Sequence, residues 1–191
     1  KAQYRKRALI FYFENHSEDS TINWLEYAIP YACDIDLMQD QYISLNMIRG
    51  YELNQQGFQF SDKIPLTKKI KIARERSIPF FITGSFNKDD NAFNIKTQIY
   101  DSKTGKLILD ETFQDENLFT LIDKITVKVK EGFGLSLTHI NESMDLPIAE
   151  QFTPSLLALE YYSKASMIME KTRFDFNESL VIKLNNKAIE H

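Results

Sequence analysis

The chain has 191 residues, 43% of them hydrophobic and 13% aromatic. That supports one to one and a half packed domains and is too apolar for a disordered tail. A net charge of −4 lacks the basic stripe of a nucleic-acid surface, so no nucleic-acid partner is expected. The lone cysteine, Cys33, excludes an internal disulfide and a cysteine-based metal cluster.

The first seven residues carry Lys1, Arg5, Lys6 and Arg7. They fit either the flank of an upstream signal or membrane anchor or a solvated lead-in to the first strand. Residues 7–13 form a continuous apolar and aromatic run, as in a central strand covered on both faces. Ser17, Ser20 and Thr21 then supply helix-start chemistry. Pro30 predicts a break near Ile29 and a fresh helix through Tyr31, Ala32, Ile35 and Met38. Residues 41–48 read as a second strand, and 49–56 as a helical turn closed by Gly57. The segment 65–76 reads as a short amphipathic helix.

A third strand is expected over 78–86. Phe93, Ile95, Thr97 and Ile99 alternate with Asn94, Lys96, Gln98 and Tyr100, the pattern of a half-buried strand. Asp101 to Gly105 turns the chain into a last strand at 106–113, so the middle is an antiparallel meander. Leu118, Leu121, Ile122, Ile125, Val129 and Phe133 recur at helical spacing, with closure near Gly132 or Gly134. Residues 141–152 read as an irregular connector, followed by helices at about 153–171 and 174–190. No stretch approaches the roughly 20 apolar residues of a membrane span. The expected class is α/β (α+β): a mixed five-stranded sheet with flanking helices, then a C-terminal helical hairpin. A boundary near residue 146 divides an α/β unit, 1–146, from the hairpin, 147–191.

The corner Glu14-Asn15-His16-Ser17 stands where ligands bind in open α/β sheets, at strand ends. Asn15, His16 and Gly84 are therefore candidate ligand contacts for a small-molecule sensor. A hydrolase using Ser17 or His16 is a rival reading. It conflicts with the divergence of adjacent side chains and the lack of a G-x-S-x-G elbow. Asn15 and Ser17 read more simply as turn formers. Gly84, inside an aromatic strand, reads as a bulge or a close backbone approach. The three histidines, His16, His139 and His191, have no metal-ligand spacing, and no phosphate-binding glycine loop occurs, so neither metal nor cofactor is expected. Lys68, Lys69, Lys71, Arg74 and Arg76 read as a solvated helix face. Tyr161 and Tyr162 are candidate partner contacts, with helix packing as the plainer alternative.

Several segments follow one another in a recognisable order: "LIFYFENHSED", "WLEYAI", "IPFFITGSF", "IKTQIYDSKTGKLI" and "FTLIDKITVKVKEGFGLS". Together they resemble the TolB amino-terminal-like domain that precedes tetratricopeptide repeats in bacterial signalling and envelope proteins. Phe13-Glu14-Asn15, Thr83-Gly84-Ser85 and Asp101 to Gly105 stand where that family reads "PFENLSGD", "EGS" and "D-x-x-T-G". The stretch "DLPIAEQFTPSLLALEYYSKA" is similar to its passage into the repeats, and "SLVIKLNNKAIEH" to the second helix of a first repeat. Pro30 departs from the usual helix former. Val181 and Asn185 stand where a repeat prefers Ala and an aromatic, so 147–191 is a first or a degenerate repeat. The resemblance implies a non-enzymatic domain of the anticodon-binding type, with no catalytic residues to assign. It also implies a protein partner and a periplasmic or cell-envelope location, with the cytoplasm as the alternative.

Overall fold

The computed structural model describes residues 5–60, 62–171 and 178–191. The chain opens with β1 (Lys6–Ile10), a two-residue β2 (Glu14–Asn15), a 3-10 turn at Ser20–Ile22 and α1 (Leu25–Leu37). Next come β3 (Ile43–Met47), α2 (Gly50–Gln55), α3 (Leu66–Glu75), and the strands β4 (Phe80–Asp89), β5 (Ala92–Asp101) and β6 (Leu107–Asp115). It closes with α4 (Leu118–Gly132), α5 (Leu137–Glu142), α6 (Ile148–Gln151), α7 (Leu156–Lys171) and α8 (Glu178–Glu190). The sheet is mixed, in the order β3-β1-β4-β5-β6. β1 is parallel to both neighbours and the last three strands form an antiparallel meander. The five expected strands are present, and β2 adds a sixth, parallel to β4.

β2 is the resumption of β1 after an irregularity. Ile10 pairs with Ile82 and Glu14 with Ser85, so four steps on the first strand oppose three on β4. This two-for-one mismatch is a bulge, which bends a strand and re-aims its side chains. Phe11 still donates its N–H to the Ile82 carbonyl, and its ring meets Phe81 edge-on at 5.8 Å. Phe13 turns away, and its N–H goes to the Glu26 carbonyl of α1 at 3.2 Å.

That bond explains why the expected break at Pro30 is absent. Proline lacks an N–H, so in a helix it leaves the carbonyl four residues earlier without its usual donor. Here that carbonyl is Glu26, and the Phe13 amide takes the donor's place. α1 runs unbroken through Pro30.

Residues paired across antiparallel strands share a face of the sheet. Ile82, Gly84 and Phe86 of β4 therefore share a face with Ile99, Thr97 and Ile95 of β5; the five side chains are buried, and α4 meets this face at Ile99. Phe81 and Tyr100 stack on the opposite face at 5.1 Å. Lys69 of α3 also reaches that face. The solvated helix face expected for the basic run is corrected there: Lys69 is buried and donates to Glu14 Oε1 at 2.9 Å and Thr83 Oγ1 at 2.7 Å. Arg74 bonds the Ser102 and Lys103 carbonyls, and Arg76 pairs with Glu52.

The connector expected to be irregular is ordered by α5 and α6. Buried Asp40 meets His139 Nε2 at 2.9 Å. Gln39 both donates to and accepts from the Leu146 backbone, and Lys130 pairs with Asp145. α7 then packs on α1. Tyr162 donates its hydroxyl to the Tyr31 hydroxyl at 2.9 Å. At the far end of α7, Glu170 accepts the Gly50 N–H at 2.7 Å and pairs with Arg49 at 3.2 Å. The expected start of the last helix at 174–177 lies outside the described residues, as does Lys1.

Gly84 lies directly beneath Phe13. A Cβ there would stand 2.3 Å from both the Phe13 ring and the Lys96 carbonyl oxygen. Gly84→Ala should therefore destabilise the protein by about 3 kcal/mol, measured by urea unfolding. Pro30→Ala should change stability by less than about 1 kcal/mol, against about 3 for removing a proline from an ordinary helix interior, because the Glu26 carbonyl already holds a donor.

Candidate functional site

Two concave features stand out. The first is a small cavity of about 60 Å³ at the bulge, lined by Tyr12, Phe13, Glu14, Asn15, Glu26 and Lys69 together with Phe60, Asp62, Lys63 and Ile64. Glu14 arrives on β2, Glu26 on the first turn of α1, and Lys69 on α3. The bulge and the two crossovers thus bring together residues scattered over more than fifty positions. Glu26 is only 8% exposed, and its Oε2 has no hydrogen-bond partner. Burial pushes its carboxyl up to about 7, against the opposing pull of Lys171 and of the Asn15 backbone N–H. Glu14 is held by Lys69 and lies 3.5 Å from His16. Tyr12 is buried with its hydroxyl unpartnered, and burial pushes that hydroxyl's pKa upward.

Of the residues named from the sequence, Asn15 lines this cavity. Its side chain is engaged in the turn: Oδ1 accepts from the Ser17 N–H and hydroxyl, and Nδ2 donates to the Asp19 carbonyl and Asn23. His16 is half exposed beside Glu14, with its own N–H bonded to Phe86. Gly84 packs under Phe13 and is not among the lining residues. Ser17 gives its hydroxyl to Asn15 rather than to a base, so the corner holds no nucleophile pair. Sequence reasoning missed Glu26 and Lys69. A charged residue in the middle of "WLEYAI", an otherwise apolar helical face, was the available signal for Glu26.

The second feature is a wide groove of about 610 Å³ between α7 and α8, lined by Phe152, Ala158, Tyr162, Ala188, Ile189 and His191 among others. Tyr162 forms part of its floor, packed at 5.5 Å on Phe152. Tyr161 is not among the lining residues and joins the two helices, with the Lys187 ammonium 5.0 Å from its ring and the His191 ring stacked at 6.0 Å. Ile189 is 83% exposed at the rim. A ladder of rings joins the two features: Phe60 to Tyr12 at 4.0 Å, Tyr12 to Tyr27 at 6.2 Å, Tyr27 to Tyr31 at 5.4 Å and Tyr31 to Tyr162 at 5.1 Å.

Among the described residues, no group of three His, Cys, Asp or Glu side chains is placed to hold a metal ion. No helix among them is long and apolar enough to cross a membrane.

The Glu26 carboxyl fixes a pH dependence. Its folded pKa, about 7, lies above the ordinary 4.5, so the folded state holds the proton more tightly than the unfolded state. Its contribution is fully present below the ordinary value and is lost as pH rises towards 7. Wild type should lose about 2 kcal/mol through this group across that window. Glu26→Gln should remove that slope and be more stable than wild type near pH 8, read as the difference between their urea-unfolding curves.

No protein-family model matches this chain, and no curated protein does. Solved structures similar to it include the LpoB C-terminal domain from Salmonella enterica, 19% identical, with a TM-score of 0.47 over 60% of this chain and 84% of that one. Lipoprotein GNA1162 from Neisseria meningitidis is 14% identical, with a TM-score of 0.49 over 68% of this chain and 99% of that one. TolB from Acinetobacter baumannii is 11% identical, with a TM-score of 0.41 over 74% of this chain and 29% of that one. At these scores the likeness fixes neither a family nor a function for this chain.

Proposed function

We propose that this chain is a non-catalytic protein-interaction module of a bacterial signalling or cell-envelope protein, which receives an amphipathic helix of a protein partner in the α7/α8 groove. The observation that carries the reading is the groove's shape and lining. Ala158 and Tyr162 stand one turn apart on α7, and Asn185 stands one turn before Ala188 and Ile189 on α8. Each rim therefore follows its helix for at least one turn. Small residues permit close approach, while Phe152, Tyr162 and Ile189 offer apolar area, the lining that suits a helix laid in a groove. The exposed Ile182, at 52%, extends the apolar surface on α8.

The ordered motifs that resemble the TolB amino-terminal-like domain and the start of a tetratricopeptide repeat support the same reading. In it, residues 1–146 are the supporting α/β unit and 147–191 a first or degenerate repeat that presents a surface, as repeat units do. The same resemblance favours the periplasm or cell envelope over the cytoplasm. Tyr162 is the floor of the docking surface, and Tyr161 acts indirectly by holding α8 in place.

A photo-crosslinking side chain at position 189 of the full-length protein, in its own bacterial cells, should trap an adduct whose attachment site maps to an amphipathic helix. Ala188→Arg, which fills the groove, should abolish it, and the same crosslinker at Lys103 on the β5–β6 hairpin should not reproduce it. Absence of the adduct at 189, or its survival in Ala188→Arg, would overturn the reading.

A further inference from the structure

We propose that the cavity at the bulge is a binding site for an alkylammonium group, with Glu26 Oε2 accepting its N–H and the rings of Tyr12, Phe13 and Phe60 enclosing its carbon chain. This site is separate from the α7/α8 groove and stands or falls independently of it.

The first ground is the unsatisfied acceptor. A buried carboxylate oxygen without a hydrogen bond is costly, and natural proteins rarely leave one without a purpose. Glu26 is more than nine-tenths buried, lines the cavity, and leaves Oε2 without a donor.

Charge decides the sign of the ligand. Glu14, Glu26 and Asp62 face the cavity against Lys63 and Lys69. The Lys69 ammonium is already committed to Glu14 and Thr83, so an entering anion would meet Glu26 with no cation bonded to it. Lys63 also lines the cavity, and Lys171 lies 5.9 Å from the centre of the Phe60 ring and acts on the Glu26 carboxyl through its charge, without an ion pair to it.

The walls and the size decide the kind of cation. A calcium or magnesium ion takes about six or more oxygen ligands, whereas three of the lining side chains here are aromatic rings. Rings attract ammonium groups through their negative faces. A volume of about 60 Å³ is less than half the ~150 Å³ that holds a benzene ring. It admits the end of an aminoalkyl chain and excludes a nucleotide or a sugar. Burial that already favours an uncharged Glu26 is relieved when a cation arrives beside it.

The same chemistry belongs to a free primary amine and to a lysine side chain of a protein partner, and one experiment separates them. The full chain at pH about 8.5 is titrated with n-propylammonium chloride to about 100 mM, with sodium and tetramethylammonium chlorides as ionic-strength controls. The Phe13 and Asn15 amides are followed by NMR. Propylammonium should shift them saturably, and tetramethylammonium, which has no N–H, should not. Glu26→Gln should weaken the binding by at least about tenfold, and Phe60→Leu, which removes a wall and keeps the carboxylate, by severalfold.

Acetyl-Gly-Lys-Gly-amide provides the second arm. If it binds more tightly than propylammonium, the source is a partner's lysine; if it does not, the source is a free amine. A wild-type chain whose Phe13 and Asn15 signals do not shift saturably would overturn the proposal. So would an undiminished response in Glu26→Gln, or an equal response to tetramethylammonium.

Discussion

One extra residue between Ile10 and Glu14 governs how the sheet and its first helix meet. Because the first strand advances four residues while β4 advances three, the Phe13 amide cannot enter the ladder. It crosses instead to the Glu26 carbonyl. That single contact tolerates a proline inside α1, lowers the Phe13 ring onto Gly84 and carries Glu26 to the wall of a cavity. Each of these would be unfavourable alone: an interior proline, a glycine in a central strand, a buried carboxyl. Together they are mutually consistent, since the amide that leaves the sheet is the donor that the proline lacks.

The polar interior is satisfied in its pairs and left short elsewhere, at the Tyr12 hydroxyl, Glu26 Oε2, Asp34 Oδ1 and Thr97 Oγ1 among others. Asp40 has His139 and the Tyr42 N–H, Lys69 has Glu14 and Thr83, and Glu170 has Arg49 and the first N–H of α2. Asp34, pushed up to about 6 by burial and eased by Arg49, is a milder case. Glu26 and Tyr12 differ because both carry an unpartnered oxygen and both line the cavity at the bulge.

Periodicity made much of this architecture legible. The alternation from Phe93 to Tyr100 returned as a strand with one buried face, and the Asp101–Gly105 turn returned with Gly105 at φ +76°. What was illegible depended on partners far away in the chain. Pro30 reads as a break unless the Phe13 amide is known to be opposite its carbonyl. Lys69 reads as solvated within a basic run unless Glu14, fifty-five residues earlier, is known to lie beneath it. The 141–152 connector lacks helical spacing, and its order comes from Gln39, Asp40 and Lys130. For the candidate site, the strand-end corner was visible and Asn15 does line the cavity. The unpaired carboxyl beside it was not visible, because burial is set by packing and not by local sequence.

The grip of Glu170 on α2 bears on what any ligand of the helical pair would encounter. That carboxylate sits against the Gly50 amide, and a Cβ at Gly50 would stand 2.2 Å from the Glu170 carbonyl oxygen. The last turn of α7 is thereby seated on bare backbone, with no side chain between them to act as a hinge. α7 cannot swing outward without stripping α2 of its terminal acceptor, so the floor it supplies is already set before an incoming chain arrives. A surface that α7 holds fixed in this way would lower the entropic penalty of any association made on it.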